Sequence, residues 1–363
     1  MDGDQNEMVN FIMVWVVVLA SLCYCHMIGS HFSSATIIRP LALLPVICLF
    51  VVLPMNLTTI SLGGTTAFFV AWLANFKLLL FAFDQGPLSS NPPTPLPYFI
   101  ALACLPIKAA HQQYQSHPKS TNEKIQKPLN GHKSTINYAS KITILAIVML
   151  TVKHAHSNPW FMLLIYCAFL YLALELILAM TAGLARGLMR AELEPQFDEP
   201  YLATSLQDFW GKRWNLMASK ILRPTVYDPV RSFCEPMAGR KWSPIPAVMA
   251  TFLVSGLMHE WILYNIGRVK PTGELTCFFL LQGASVAAEI GIKRILSGRF
   301  QVPVALSRLL QIAFVLSSSF WLFFPPFRRG KADTKTCTEI LAFIEFLKTS
   351  SLVSPSSTSC PFL

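Results

Sequence analysis

Apolar runs long enough to cross a lipid bilayer recur along this chain, and no other feature constrains its fold as strongly. A helix needs about 20 apolar residues to span the hydrocarbon core. Residues 8–28, 37–53, 57–83, 142–152, 159–182, 245–266, 275–292 and 302–324 form such runs, some shorter than the ideal. The third is interrupted by Gly63, Gly64, Asn75 and Lys77, and residues 96–107 suit a short or re-entrant element. About eight spans are expected. Asp2, Asp4 and Glu7 precede the first run with no Lys or Arg, the wrong charge for a signal peptide, so this run is read as a retained span.

Composition supports this reading. Only 13% of residues are charged and 53% are hydrophobic, whereas a soluble domain carries roughly 25% charged residues. The net charge of +10 would suggest nucleic acid in a soluble protein. Here the basic residues fall between apolar runs, where the positive-inside bias puts them, and no nucleic-acid partner is expected. Residues 108–141 and 186–242 both carry many basic residues with two runs between them, so both can face the cytosol. Arg328, Arg329, Lys331 and Lys335 break the pattern, since three further spans place them on the opposite side.

The chain divides into one membrane-embedded unit, residues 1–325, and a tail, residues 326–363, basic and then Ser-rich. The expected fold is all-α: a polytopic bundle of transmembrane helices around an internal chamber. Of nine cysteines, Cys23, Cys25, Cys48, Cys104, Cys167 and Cys277 lie inside apolar runs. No Cys-x-x-Cys spacing occurs, so neither a metal site nor a disulfide framework is expected.

The chemistry-bearing segment is residues 186–266. At helical spacing Leu206, Phe209, Trp210, Trp214, Met217 and Ile221 make one apolar stripe, with Asp208, Lys212, Asn215 and Ser219 on the other side. That pattern predicts an amphipathic helix at the membrane interface, with Trp and basic residues at headgroup depth. Of eight histidines, His259 alone sits well inside a strong run, in Ser255-Gly256-Leu257-Met258-His259-Glu260. An ionisable group there is costly and marks a functional site by default, although a packing histidine bonded to a neighbouring helix is the bland alternative. Desolvation disfavours the imidazolium and leaves a neutral ring able to accept a proton.

Phe209-Trp210-x-x-Arg213-Trp214-Asn215, followed some 40 residues later by an intramembrane histidine, resembles the membrane-bound O-acyltransferase family. Leu222-Arg223-Pro224-Thr225-Val226-Tyr227 and Trp72-Leu73-Ala74-Asn75-Phe76-Lys77 resemble its plant wax-synthase branch, which also contains sterol acyltransferases. The likeness runs from about Gly64 to Phe324, and the family's two signature polar residues fall on Asn215 and His259. It implies a multi-pass enzyme of the endoplasmic reticulum that esterifies a long-chain fatty alcohol, or alternatively a sterol, with acyl-CoA as co-substrate and no cofactor. His259 would be the general base, and Asn215 would hold the thioester carbonyl or orient the base. Trp210 and Trp214 would wall the acyl channel or anchor the helix. Lys212, Arg213 and Arg223 would pair with coenzyme A phosphates or form a solvated face. Glu260 could orient a neighbouring dipole, although adjacent residues on a helix point about 100° apart.

Rival signatures are absent: no Gly-x-Ser-x-Gly elbow, no Gly-Lys-Ser/Thr phosphate loop, no His-Glu-x-x-His pair, and no histidine followed by aspartate four or five residues on. A transporter is the alternative from another class, given the broken third run and the intramembrane histidine, but the two halves show no repeat of the apolar pattern.

Overall fold

The computed structural model describes residues 2–32, 37–89, 94–106, 135–155, 159–189, 196–296 and 303–349. Most of the polar loop expected at 108–141, the start of the motif segment and the Ser-rich end of the tail lie outside the described residues. Regular structure among the described residues is wholly helical, and seven stretches are long and apolar enough to cross a membrane.

Helices α1 (Asp2–His31) and α2 (Ile38–Val52) are followed by a third span, Ile60–Ala82, which starts in π-helical turns and ends as α3 (Asn75–Ala82). Next comes α4 (Leu96–Cys104), whose nine residues rise only about 13 Å. The uncertain run at 96–107 is therefore a short element and not a full span. One core joins these four, with Val18, Leu22, Leu43, Phe50, Leu78 and Phe99 at its centre.

The polar residues that interrupt the third run serve as connectors. Asn75 donates to the Ile47 carbonyl at 3.0 Å, and Lys77 donates to the Leu102 and Leu105 carbonyls at 2.5 and 2.7 Å. The last carbonyls of a helix have no partner within it, and the buried ammonium of Lys77 supplies one for α4. At the other end of this span Glu7 accepts the Thr58 and Thr59 amides at 2.7 and 2.9 Å, while Glu339 accepts those of Ile60 and Ser61, both at 2.7 Å. Glu339 thus satisfies orphan amides of its first turn and Glu7 the two amides just before it, where the helix dipole favours negative charge.

Helices α5 (Thr135–Ala155) and α6 (Pro159–Met189) form a hairpin closed by Lys141 and Glu175, 2.5 Å apart. The motif segment follows, and its continuous helix over 206–221 is not what forms. The chain makes one turn, α7 (Leu206–Asp208), then a π-helical turn, Phe209–Arg213. It breaks at Trp214, which is extended, and at Asn215 (φ 39°, ψ 66°), before α8 (Leu216–Leu222). Asparagine tolerates the left-handed region and prefers helix N-caps. Asn215 does both, so a single side chain overrides the apolar periodicity around it. A second π-helical turn, Arg223–Tyr227, leads into α9 (Asp228–Trp242).

Three spans remain: α10 (Pro244–Gly267), α11 (Glu274–Leu296), and α12 (Val304–Ser318) extended by a π-helical turn and α13 (Phe324–Arg329). Helices α10 and α11 approach closely because two glycines permit it. A Cβ on Gly256 would stand 2.8 Å from the Thr276 Cα, and one on Gly283 would stand 2.8 Å from the Phe252 Cβ. The tail begins as a docked helix, α14 (Ala332–Thr349). There Cys337 is disulfide-bonded, which corrects the expectation of no disulfide. That expectation rested on the six cysteines inside apolar runs, all of them free thiols, and Cys337 lies beyond the last span.

Candidate active site

Asn215 and His259 line one cavity of about 400 Å³. Its walls are the π-helical turn at 209–213, α8, the turn at 223–227, α10 from Val248 to His259 and α11 from Phe279 to Ile290. It runs from His259, about one turn from the middle of α10, past Ser255, Phe252 and Val248 toward the end of that helix nearest the motif segment. On α11, Phe279, Val286 and Ile290 follow the same course. The wall beside His259 is aromatic. The far end is aliphatic, and Gln207, Lys212 and Arg223 are the longer polar side chains on the cavity's rim.

His259 Nδ1 is 2.7 Å from the Ser255 carbonyl, one turn earlier on α10. A carbonyl only accepts, so Nδ1 carries the hydrogen and Nε2 keeps a lone pair. Nε2 has no partner among the described residues. The Phe279 ring lies against the imidazole, with centroids 4.3 Å apart and planes 34° apart, and Phe323 stands 6.3 Å away. Glu260 does not serve its neighbour: its carboxylate accepts the Leu275 and Thr276 amides at 3.0 and 3.3 Å and so caps α11.

The Asn215 Oδ1 accepts the Ala218 amide at 3.2 Å, the N-cap bond of α8. Using the oxygen as the cap leaves the amide NH2 as the free end. That donor has no partner among the described residues, and Asn215 lines the cavity.

Trp210 and Trp214 both line the cavity, and both also hold structure. The Trp210 indole donates to Gln282 Oε1 at 3.1 Å, and Gln282 Nε2 donates to Ser318 Oγ at 2.8 Å, linking the motif to α11 and α12. Trp214 stacks on Phe209 at 5.4 Å and meets Phe197 edge-on at 5.2 Å. The three cations separate. Arg213 is bound internally, to Asp208 at 2.8 Å and to the Asp198 carbonyl at 3.1 Å, and is not part of the cavity wall. Lys212 is exposed on that wall, and Arg223, also on it, lies 3.7 Å from Asp228 with 70% of its side chain exposed. Burial works to raise the Asp208 carboxyl, but hydrogen bonds from Arg213 and the Thr204 amide hold it below the usual carboxylate value.

Sequence reasoning missed Phe279, Gln282 and the carbonyl role of Ser255. Gln282, fully buried inside an apolar run, was visible by the same logic that selects His259. Ser255 stands one turn before His259 and so shares its face. Nothing in the sequence distinguishes Phe279 from its phenylalanine neighbour.

The fold is thus an all-helical multi-pass bundle that brings a free side-chain amide and an imidazole nitrogen to one cavity. The sequence profile of the membrane bound O-acyl transferase family matches residues 193–281, the stretch that builds most of this cavity. The chain is 42% identical over 341 residues to acyl-CoA–sterol O-acyltransferase 1 of Arabidopsis thaliana, covering 93% of this chain and 96% of that protein. It is 40% identical to the long-chain-alcohol O-fatty-acyltransferase of Simmondsia chinensis, covering 92% and 94% of the two chains. A probable long-chain-alcohol O-fatty-acyltransferase 9 of Arabidopsis thaliana is 39% identical, with coverage of 95% and 98%. The chain belongs to the membrane-bound O-acyltransferase family and is an acyltransferase. The transporter alternative is thereby set aside.

Proposed function

We propose that this enzyme transfers a long-chain fatty acyl group from coenzyme A to a long-chain fatty alcohol, making a wax ester in the endoplasmic reticulum membrane. One observation carries the reading: Asn215 and His259, far apart in sequence, face one cavity with complementary free atoms, an amide donor and an imidazole acceptor.

His259 Nε2 takes the hydroxyl proton as the alcohol oxygen attacks the thioester carbonyl. The Asn215 NH2 donates to the oxygen on which negative charge develops. Collapse of the tetrahedral intermediate breaks the C–S bond, and the proton passes from His259 to the leaving thiolate. The thioester is already activated, so this sequence needs no covalent serine or cysteine intermediate and no resident cofactor. The imidazolium formed on the way has no carboxylate hydrogen-bonded to it among the described residues. The Ser255 carbonyl and the face of Phe279 are the electron-rich groups against it, and an aromatic face attracts a cation. Lys212 and Arg223, exposed on the cavity wall, would pair with coenzyme A phosphates, while Arg213 holds the turn that carries Lys212.

Microsomes containing the protein, given labelled acyl-CoA with either a fatty alcohol or a sterol, test the reading. Wax ester made by the wild type and lost in His259→Ala supports it; full synthesis by a folded His259→Ala protein contradicts the mechanism. Steryl ester as the product would favour the second reading, a sterol acceptor, for which the relative named as a sterol O-acyltransferase speaks.

A further inference from the structure

Helix α9 presents its sides the wrong way round for water. Phe233 and Met237, one turn apart, are 74% and 73% exposed, and Pro229 and Pro236 share their exposed side. Arg231 and Glu235, also one turn apart, lie on the less exposed side with Asp228. A surface helix in water shows the opposite arrangement, with charge outward and apolar residues toward the core. An outward apolar stripe on a helix that turns its charges inward is matched by an apolar surrounding.

Connectivity identifies that surrounding. The helix kinks at Gly239 (φ 72°, ψ 160°), passes through Arg240, Lys241 and Trp242, and two residues later Pro244 opens the span α10. Helix α9 is therefore tethered at the level where a span leaves the hydrocarbon. Basic residues with an adjacent tryptophan are the side chains found at headgroup depth, and the Lys241 ammonium sits 5.4 Å from the centre of the Trp242 ring. The other end of α9 adjoins the cavity: Arg223 and Tyr227 line it, and Arg223 faces Asp228, the first residue of the helix.

We propose that α9 lies in the plane of the membrane, with Phe233 and Met237 sunk into one leaflet and Arg240 and Lys241 at its lipid phosphates. The interfacial helix of this protein is then α9, following the broken segment in which the sequence pattern places it. The α9 side of the cavity's rim then lies at the level of the lipid headgroups, where a molecule dissolved in the leaflet can reach it, while Lys212 and Arg223 remain at the polar boundary.

The test uses the full chain in nanodiscs of phosphatidylcholine and phosphatidylserine, photolabelled and mapped by mass spectrometry. One probe is a lipid with a diazirine high on its acyl chain; the other is a water-soluble diazirine. The expected result is at least about fivefold preference for the lipid probe at Phe233 and Met237. Preference for the aqueous probe overturns the proposal, and so does protection from both probes, which would mean that a protein covers the stripe. A second arm places Phe233→Asp in the same nanodiscs. Lipid labelling at Met237 should then fall severalfold while that of Leu253 and Leu257 on α10 is retained; unchanged labelling at Met237 counts against the proposal. Neither readout depends on ester synthesis, so either can fail while the proposed function stands.

Discussion

The imidazole of His259 is held by the carbonyl of Ser255, 2.7 Å from its Nδ1, and this contact decides which nitrogen is left for chemistry. His259→Asn keeps a donor near the Nδ1 position and removes the base. The variant should insert and melt like the wild type while kcat falls by about 10²- to 10⁴-fold, the usual worth of a general base. Melting in detergent and single-substrate kinetics check the two halves separately.

Asn215 has two jobs that substitutions can separate. Asp at this position retains an oxygen for the Ala218 amide and tolerates the left-handed backbone, but lacks the NH2. Asn215→Asp should keep its melting temperature and lose about 10²- to 10³-fold in kcat, as when an oxyanion donor is removed. Asn215→Ala should lose as much activity and in addition about 1 kcal/mol of cap stability. Equal activity in the Asp variant and the wild type would remove Asn215 from the chemistry.

The ring face of Phe279 lies against His259, where attraction to the imidazolium would be worth about 0.5–2 kcal/mol. Phe279→Leu should lower kcat by about two- to thirtyfold with KM unchanged, and Phe279→Tyr should restore it. Recovery by leucine as complete as by tyrosine would reduce Phe279 to a packing role.

Glycine positions give a paired steric prediction. Gly256→Ala forces a methyl group against the Thr276 backbone and should cost about 1–3 kcal/mol, the range for overpacking, with loss of activity as α10 and α11 part. A Cβ on Gly211 meets nothing within 4 Å, so Gly211→Ala should leave the melting temperature unchanged.

The Asp208–Arg213 contact makes part of the stability pH-dependent. A carboxyl held below its usual value in the folded state contributes stability above the ordinary carboxylate pKa and loses it as pH falls through the lower, folded value. Asp208→Asn should therefore melt below the wild type at pH 7, and the gap should narrow under acid conditions, below about pH 4. Melting curves across that range are the check.

The spans were legible because lipid leaves a coarse signature: length and apolarity locate a crossing helix without any knowledge of packing. His259 was legible for the same reason, as a polar group where polarity is costly. The break at Asn215 was not, since 3.6-residue periodicity continues through it and only the backbone angle reveals that the side chain ends one helix and starts another. Arg213 and Arg329 show a second limit. As sequence both read as free positive charge, yet Arg213 is bound to Asp208 and Arg329 to Glu274. Charge counts describe topology and long-range fields, whereas the partner that consumes a given charge depends on tertiary neighbours.

Glu7 of α1 and Glu339 of α14 meet at the start of the third span, from helices widely separated along the chain. While the ribosome is still working through the intervening 300-odd residues, half of that socket waits for its occupant. The lock on the third span is thus complete only once α14 has emerged, and a chain interrupted shortly before Glu339 could insert every candidate span yet could not hold the start of the third from both sides.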